Sequence, residues 1–131
     1  MAAFIFSDPR LVSGSIGVAY SLTAAASKGE LVDLAGVAVD PTVDGSDIAG
    51  LALTDASSED AIIYARTNSV LEVTEDIVPG RTYVCVATGQ YDLEENLPVG
   101  YRYRATLLAI SNTRVRLRIY NTDLVKEADT P

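Results

Sequence analysis

The sequence predicts an all-β domain, a small β-sandwich or barrel-like unit with a C-terminal β-hairpin and an extended N-terminal arm. Three observations carry that prediction. Short runs that are apolar or alternate in period two recur along the chain. Turn formers separate them, as at residues 41–47 and at Pro79-Gly80. Residues 113–120 alternate strictly, with Val115, Leu117 and Ile119 on one face and Arg114, Arg116 and Arg118 on the other.

The chain has 131 residues, the size of one domain. A chain of this length buries roughly two thirds of its unfolded surface, enough for a core without disulfides. Its 48% apolar and 21% charged content excludes a compositionally disordered chain. Trp is absent and there are two Phe, so the core must come from Val, Leu, Ile, Ala and the seven Tyr.

In chain order, residues 1–28 read as an arm or a first strand, with an extended, weakly patterned stretch at 11–22 and a turn at 24–29. Residues 29–131 read as the β domain. Residues 34–40 and 48–54 both carry Ala-Gly followed by a bulky/Ala/bulky alternation, which predicts two strands joined by the turn at 41–47. A glycine at the same place in each, Gly36 and Gly50, marks a bulge or a close backbone approach. Further strands are expected at 61–65, 70–73 and 81–87. The acidic, Gly- and Pro-containing stretch 88–100 reads as an exposed loop.

The last hairpin is the most specific expectation. A three-residue loop of Ile110-Ser111-Asn112 pairs 109 with 113, 107 with 115 and 105 with 117, so that the apolar sets coincide. It places Asn112 at the position that needs a left-handed backbone. Arg104 then lies opposite Arg118, with Arg102, Arg114 and Arg116 close by. Five of the chain's ten basic residues share one face of a protein carrying −8 overall. Two readings stand: a solvated outer face that discourages edge-to-edge association, or a protein-contact surface that pairs carboxylates. Phe4, Ile5 and Phe6 likewise read as an apolar anchor for a partner or as part of the protein's own core.

Several chemistries are absent from the sequence. There is no histidine, so a Ser–His–Asp or Cys–His arrangement cannot be assembled from one chain. Cys85 is the single cysteine, in an apolar run, and reads as a buried, inert thiol. Asp44-Gly45-Ser46-Asp47 lacks the alternating ligands and terminal Glu of a calcium loop. Gly14-Ser15-Ile16-Gly17 is not followed by the Lys of a phosphate loop. No catalytic residue, cofactor or metal is therefore expected, and the charge argues against nucleic acid and anionic membrane as partners. The N-terminal residues lack a basic segment and a long apolar run, so synthesis in a cytoplasm is expected.

Four segments together resemble the small decoration (cement) and head-fibre proteins of tailed bacteriophages. They are Gly29-Glu30-Leu31-Val32-Asp33-Leu34, Asp47-Ile48-Ala49-Gly50-Leu51-Ala52, Val78-Pro79-Gly80-Arg81-Thr82-Tyr83-Val84, and the glycine-flanked loop leading into residues 105–117. The likeness spans residues 29–120. It implies a β-sandwich or barrel-like module, often trimeric, that sits on the outside of a capsid and bridges major capsid protein subunits. It implies no catalytic residues. A receptor- or glycan-binding knob of a phage fibre is the second expectation, with tyrosines as stacking surfaces.

Overall fold

The computed structural model describes residues 3–20, 26–43, 47–55 and 61–126. Among them the chain forms two antiparallel sheets that pack together as a small all-β sandwich. The six-stranded sheet runs in the order β1 (Arg10–Ser13), β6 (Val70–Glu72), β10 (Arg114–Val125), β9 (Arg102–Ala109), β7 (Thr82–Ala87), β8 (Gln90–Leu93). The four-stranded sheet runs β2 (Ile16–Tyr20), β5 (Ala61–Ala65), β4 (Gly50–Ala52), β3 (Leu31–Val32). A single 3-10 turn at Glu94–Asn96 follows β8.

The alternation seen in the sequence explains the core. Ala105, Leu107 and Ala109 of β9, Val115 and Leu117 of β10, and Tyr83 and Cys85 of β7 all turn inward. They meet Leu31, Leu51 and Ala65 from the four-stranded sheet, with Phe6, Val39, Ile48 and Ile77 filling the ends. A second cluster of Ala19, Ala26, Val32, Ala52, Ile62 and Tyr64 packs separately.

One corner joins the sheets. β1 pairs with β6 and β2 pairs with β5, so residues 10–20 and 61–72 run antiparallel as one ribbon that leaves the first sheet and enters the second. Gly14, at φ 122°, sits at the bend, where a Cβ would overlap Ser69. Ser69 is fully buried. Its hydroxyl accepts from the Ser15 N–H at 3.3 Å and donates to the Ser15 carbonyl at 3.2 Å. Asn68 takes the left-handed conformation (φ 69°) that turns the second strand of the ribbon.

Residues 1–28 thus contribute β1 and β2, an edge strand to each sheet. The turn expected at 24–29 lies partly outside the described residues, as do residues 44–46 of the turn at 41–47. Strands at 61–65, 70–72 and 82–87 stand where the pattern predicts them.

Three local expectations differ from the structure. Residues 34–40 are not a regular strand: 34–36 form a turn, in which the Asp33 carboxylate accepts from the Ala35 and Val37 N–H groups and Gly36 has φ 80°, and Ala38 pairs only as an isolated bridge with Val32. The partner of β4 is instead β3. Residues 88–100 are not an exposed loop. A two-residue turn at Thr88-Gly89 leads directly into β8, Tyr91 is fully buried and Leu97 is 2% exposed.

In the hairpin of β9 and β10, Ala109 pairs with Val115, Leu107 with Leu117 and Ala105 with Ile119. The register differs by two residues from the one expected, which leaves every side chain on its face. The turn closes through Ile110 N–H donating to Arg114 O at 2.9 Å, and Asn112 is not at positive φ. Arg118 therefore lies opposite Thr106, and Arg104 lies opposite a register jump between Ile119 and Leu124.

Gly50 is the tightest backbone approach in the four-stranded sheet, since a Cβ there would overlap the Ala65 carbonyl oxygen and the Tyr64 ring. Gly50→Ala is expected to destabilise the domain by about 3 kcal/mol through overpacking. Gly80→Ala, at φ 84° with no atom within 4 Å of the new Cβ, should cost about 1 kcal/mol of backbone strain. Urea unfolding of the two variants measures the difference.

Candidate functional site

The outer face of the six-stranded sheet reads in rows across the strands. One row is Arg10, Glu72, Arg114; the next is Ser13, Val70, Arg116, Leu108, Thr82; a third is Arg118, Thr106, Val84, Asp92. Alternation along β10 sends Arg114, Arg116 and Arg118 outward because Val115 and Leu117 are committed to the core.

These arginines are not equivalent. Arg114 Nε lies 3.3 Å from Glu72 Oε2, a cross-strand ion pair. Arg104 is 8% exposed, with its guanidinium 3.5 Å from Asp47 Oδ1. Arg102 is half-buried and also engaged. Arg10 pairs with Asp8 at 3.0 Å, which holds the Asp8 carboxyl below the usual carboxylate range. Arg116 and Arg118 are exposed and have no carboxylate partner among the described residues. The Arg118 guanidinium lies 5.9 Å from the centre of the Tyr120 ring, a cation–π arrangement.

Partly exposed apolar side chains lie beside this pair. Leu108, Ile110 and Tyr120 are each about two-fifths exposed on β9, the turn and β10. The five-arginine face expected from the sequence is therefore smaller and different in kind. It is two unpaired guanidiniums set among Leu, Ile and Tyr, with Arg114 at its margin and Arg104 withdrawn into the fold.

Phe4 and Phe6 belong to the protein's own aromatic core. Their rings meet edge-on at 5.1 Å, Phe4 approaches Tyr83 at 5.6 Å, and Phe6 approaches Tyr91 at 4.8 Å. Phe6 is fully buried, and Ile5, between them, is 56% exposed. The alternation of an extended chain produces this split: the segment pairs with Tyr91 through Phe4, so neighbouring side chains point opposite ways.

Nothing in the described residues groups three metal-ligating side chains. Two open depressions, of about 290 and 350 Å³, are lined by Gly80, Arg81, Thr82, Glu94 and Glu95 and by Asp33, Leu34, Ala35 and Asp47 respectively. Arg81 is ion-paired with Glu95 across the first. Burial pushes the Cys85 thiol up to about 12, with Asp40 adding to the effect, and the thiol donates to the Ala87 carbonyl at 2.9 Å. Burial likewise raises the Tyr91 phenol well above its usual value, and its hydroxyl donates to the Gly29 carbonyl.

No family model matches the chain, and no curated protein matches it. The fold and the surface together define a small β-sandwich module whose most distinctive exposed feature is the Arg116–Arg118 face.

Two outcomes follow from these placements. Phe6→Ala should destabilise the domain by about 3–5 kcal/mol, and Ile5→Ala should change stability by no more than about 0.5 kcal/mol, both read by chemical denaturation. The Cys85 thiol is protonated at pH 8, so the folded protein should resist a thiol-specific reagent and take up one equivalent only on unfolding.

Proposed function

We propose that this protein is a protein-binding module whose outer β9–β10 face docks on an acidic partner surface. Its partner on this reading is a shell of phage major capsid protein subunits, which it would bridge and stabilise from outside. The observation that carries the reading is the pair of exposed, unpaired guanidiniums of Arg116 and Arg118 beside Leu108, Ile110 and Tyr120. Arg and Tyr are enriched in energetically dominant interface positions, and an apolar surround excludes water from the ion pairs they make.

The charge distribution supports the same direction. A chain carrying −8 overall places two unpaired cations together on one sheet face, which selects a carboxylate-bearing surface in a defined orientation. The resemblance of residues 29–120 to capsid decoration proteins supplies the capsid as the partner class. On a shell with repeated sites, a trimeric arrangement would add avidity without new contacts.

Co-sedimentation with empty capsids tests the proposal. The Arg116→Ser/Arg118→Ser double variant should bind about tenfold more weakly or worse, with unfolding shifted by no more than about 0.5 kcal/mol. Rising salt should weaken the wild type more than the variant. Unchanged capsid affinity would remove the arginines from the interface. Failure to bind any shell, alongside hits on a glycan array, would replace the reading with a fibre knob.

A further inference from the structure

Two sheets have four edges, and they are not treated alike. The β8 edge is met by Phe4, which exchanges both backbone hydrogen bonds with Tyr91 at 2.9 and 2.8 Å. The β3 edge is met by residues 38 and 39, through the Val32–Ala38 bridge and Val39 N–H donating to Leu31 O. The remaining edges are β1 and β2, consecutive in the chain on the same side of the bent ribbon. Among the described residues nothing pairs with their outer side, and the hydrogen bonds and ion pairs of residues 10–19 run within the ribbon or, through Arg10, to Asp8.

The β2 part of this edge also lacks the usual guards. Residues 11–27 form the longest stretch of the chain without a charged residue, and residues 10–20 contain no Pro. Ile16 and Val18 are about half exposed while Gly17 and Ala19 are buried. β1 carries Arg10 and a register shift between Leu11 and Ser13. β2 is regular through five consecutive pairs with β5.

We infer that β2 is a self-association strand that pairs antiparallel with β2 of a second copy across a two-fold axis centred on Val18. Charge selects this occupant. Two copies each carrying −8 repel wherever their acidic surfaces meet, and this uncharged run is where the like-charge cost is smallest. An isologous contact needs a self-complementary patch. With Val18 opposite Val18 of the second copy, Ile16 falls opposite Tyr20 and Gly17 opposite Ala19. The exposed Ile16 and Val18 share one face, the buried Gly17 and Ala19 share the other, and all five strand residues are paired. Centring on Gly17 would bring Gly14 into the pairing, where its φ of 122° breaks the strand. The result is one continuous eight-stranded sheet bounded at both ends by β3, and because the β3 edge is met by residues 38 and 39, this sheet stops at two copies. The inference does not depend on the arginine face or on a capsid partner.

Analytical ultracentrifugation of the full chain, up to about 1 mM, reads the association. The expected result is a species of twice the chain mass, lost in Val18→Lys. In parallel, Val18→Cys should form a disulfide-linked dimer under mild oxidation and Ile16→Cys should not, because only residue 18 meets its own copy within bonding distance. Buried Cys85 does not interfere. A wild type that stays monomeric throughout, a dimer that survives Val18→Lys, or cross-linking through Ile16→Cys as readily as through Val18→Cys would each overturn the inference. Should Val18→Lys lose its β circular dichroism, the cysteine pair decides alone.

Discussion

The buried hydroxyl of Ser69, closed on the backbone of Ser15 over Gly14, is the contact on which the arrangement of both sheets depends. A paired ribbon has no reason of its own to leave one sheet and enter another. Here the bend is stabilised by a side chain small enough to be enclosed and polar enough to bond both the Ser15 N–H and the Ser15 carbonyl, which also accepts from the Arg66 N–H. The neighbouring hydrogen bonds extend the clamp: Asn68 N–H donates to Leu117 O at 2.6 Å, Leu117 N–H to Ser69 O at 2.9 Å, and Ile119 N–H to the Thr67 hydroxyl at 2.9 Å. The corner is therefore fastened to the middle of β10, the strand that carries Arg116 and Arg118.

That placement sets what the surface can offer. Because β10 is central to its sheet and is held on both sides, its outward arginines are presented on a rigid face rather than on a loop. Because the ribbon turns at Gly14, β1 and β2 lie at the margins of their sheets, and among the described residues each keeps one side unpaired. The two exposed features, one basic and flat, the other neutral and linear, are geometrically separate consequences of one bend.

Much of this was legible in the residues, and the parts that were not have identifiable reasons. The period-two pattern located β5, β6 and β7 and named the core face of the last hairpin. It could not set the hairpin register, since a slip of two residues preserves every face and only the turn decides between the alternatives. Residues 88–100 read as a loop because acidity and glycine outweigh a signal that is present: Thr88-Gly89 between Ala87 and Gln90 is a two-residue turn, and Tyr91 and Leu97 are the apolar anchors of the stretch that follows. The repeat at Gly36 and Gly50 hid two different uses of glycine, a left-handed turn in one case and a close backbone approach in the other. For the arginines, strand alternation gave the face, but ion pairing by Glu72 and Asp47 depends on chain segments distant in sequence. Alternation alone therefore left all five equivalent.

The most direct test of the corner's role is amide hydrogen exchange on Ser69→Ala. Removing the hydroxyl takes away its bonds to the Ser15 N–H and carbonyl, the carbonyl keeping the Arg66 N–H at 3.0 Å, at a cost of about 1 kcal/mol. If the corner makes the two sheets one cooperative unit, protection should fall by the same increment in both, at Leu51 and Ile63 in one sheet and at Val84 and Leu107 in the other. A loss confined to residues 13–17 and 66–70, with the distant strands of either sheet unchanged, would contradict it.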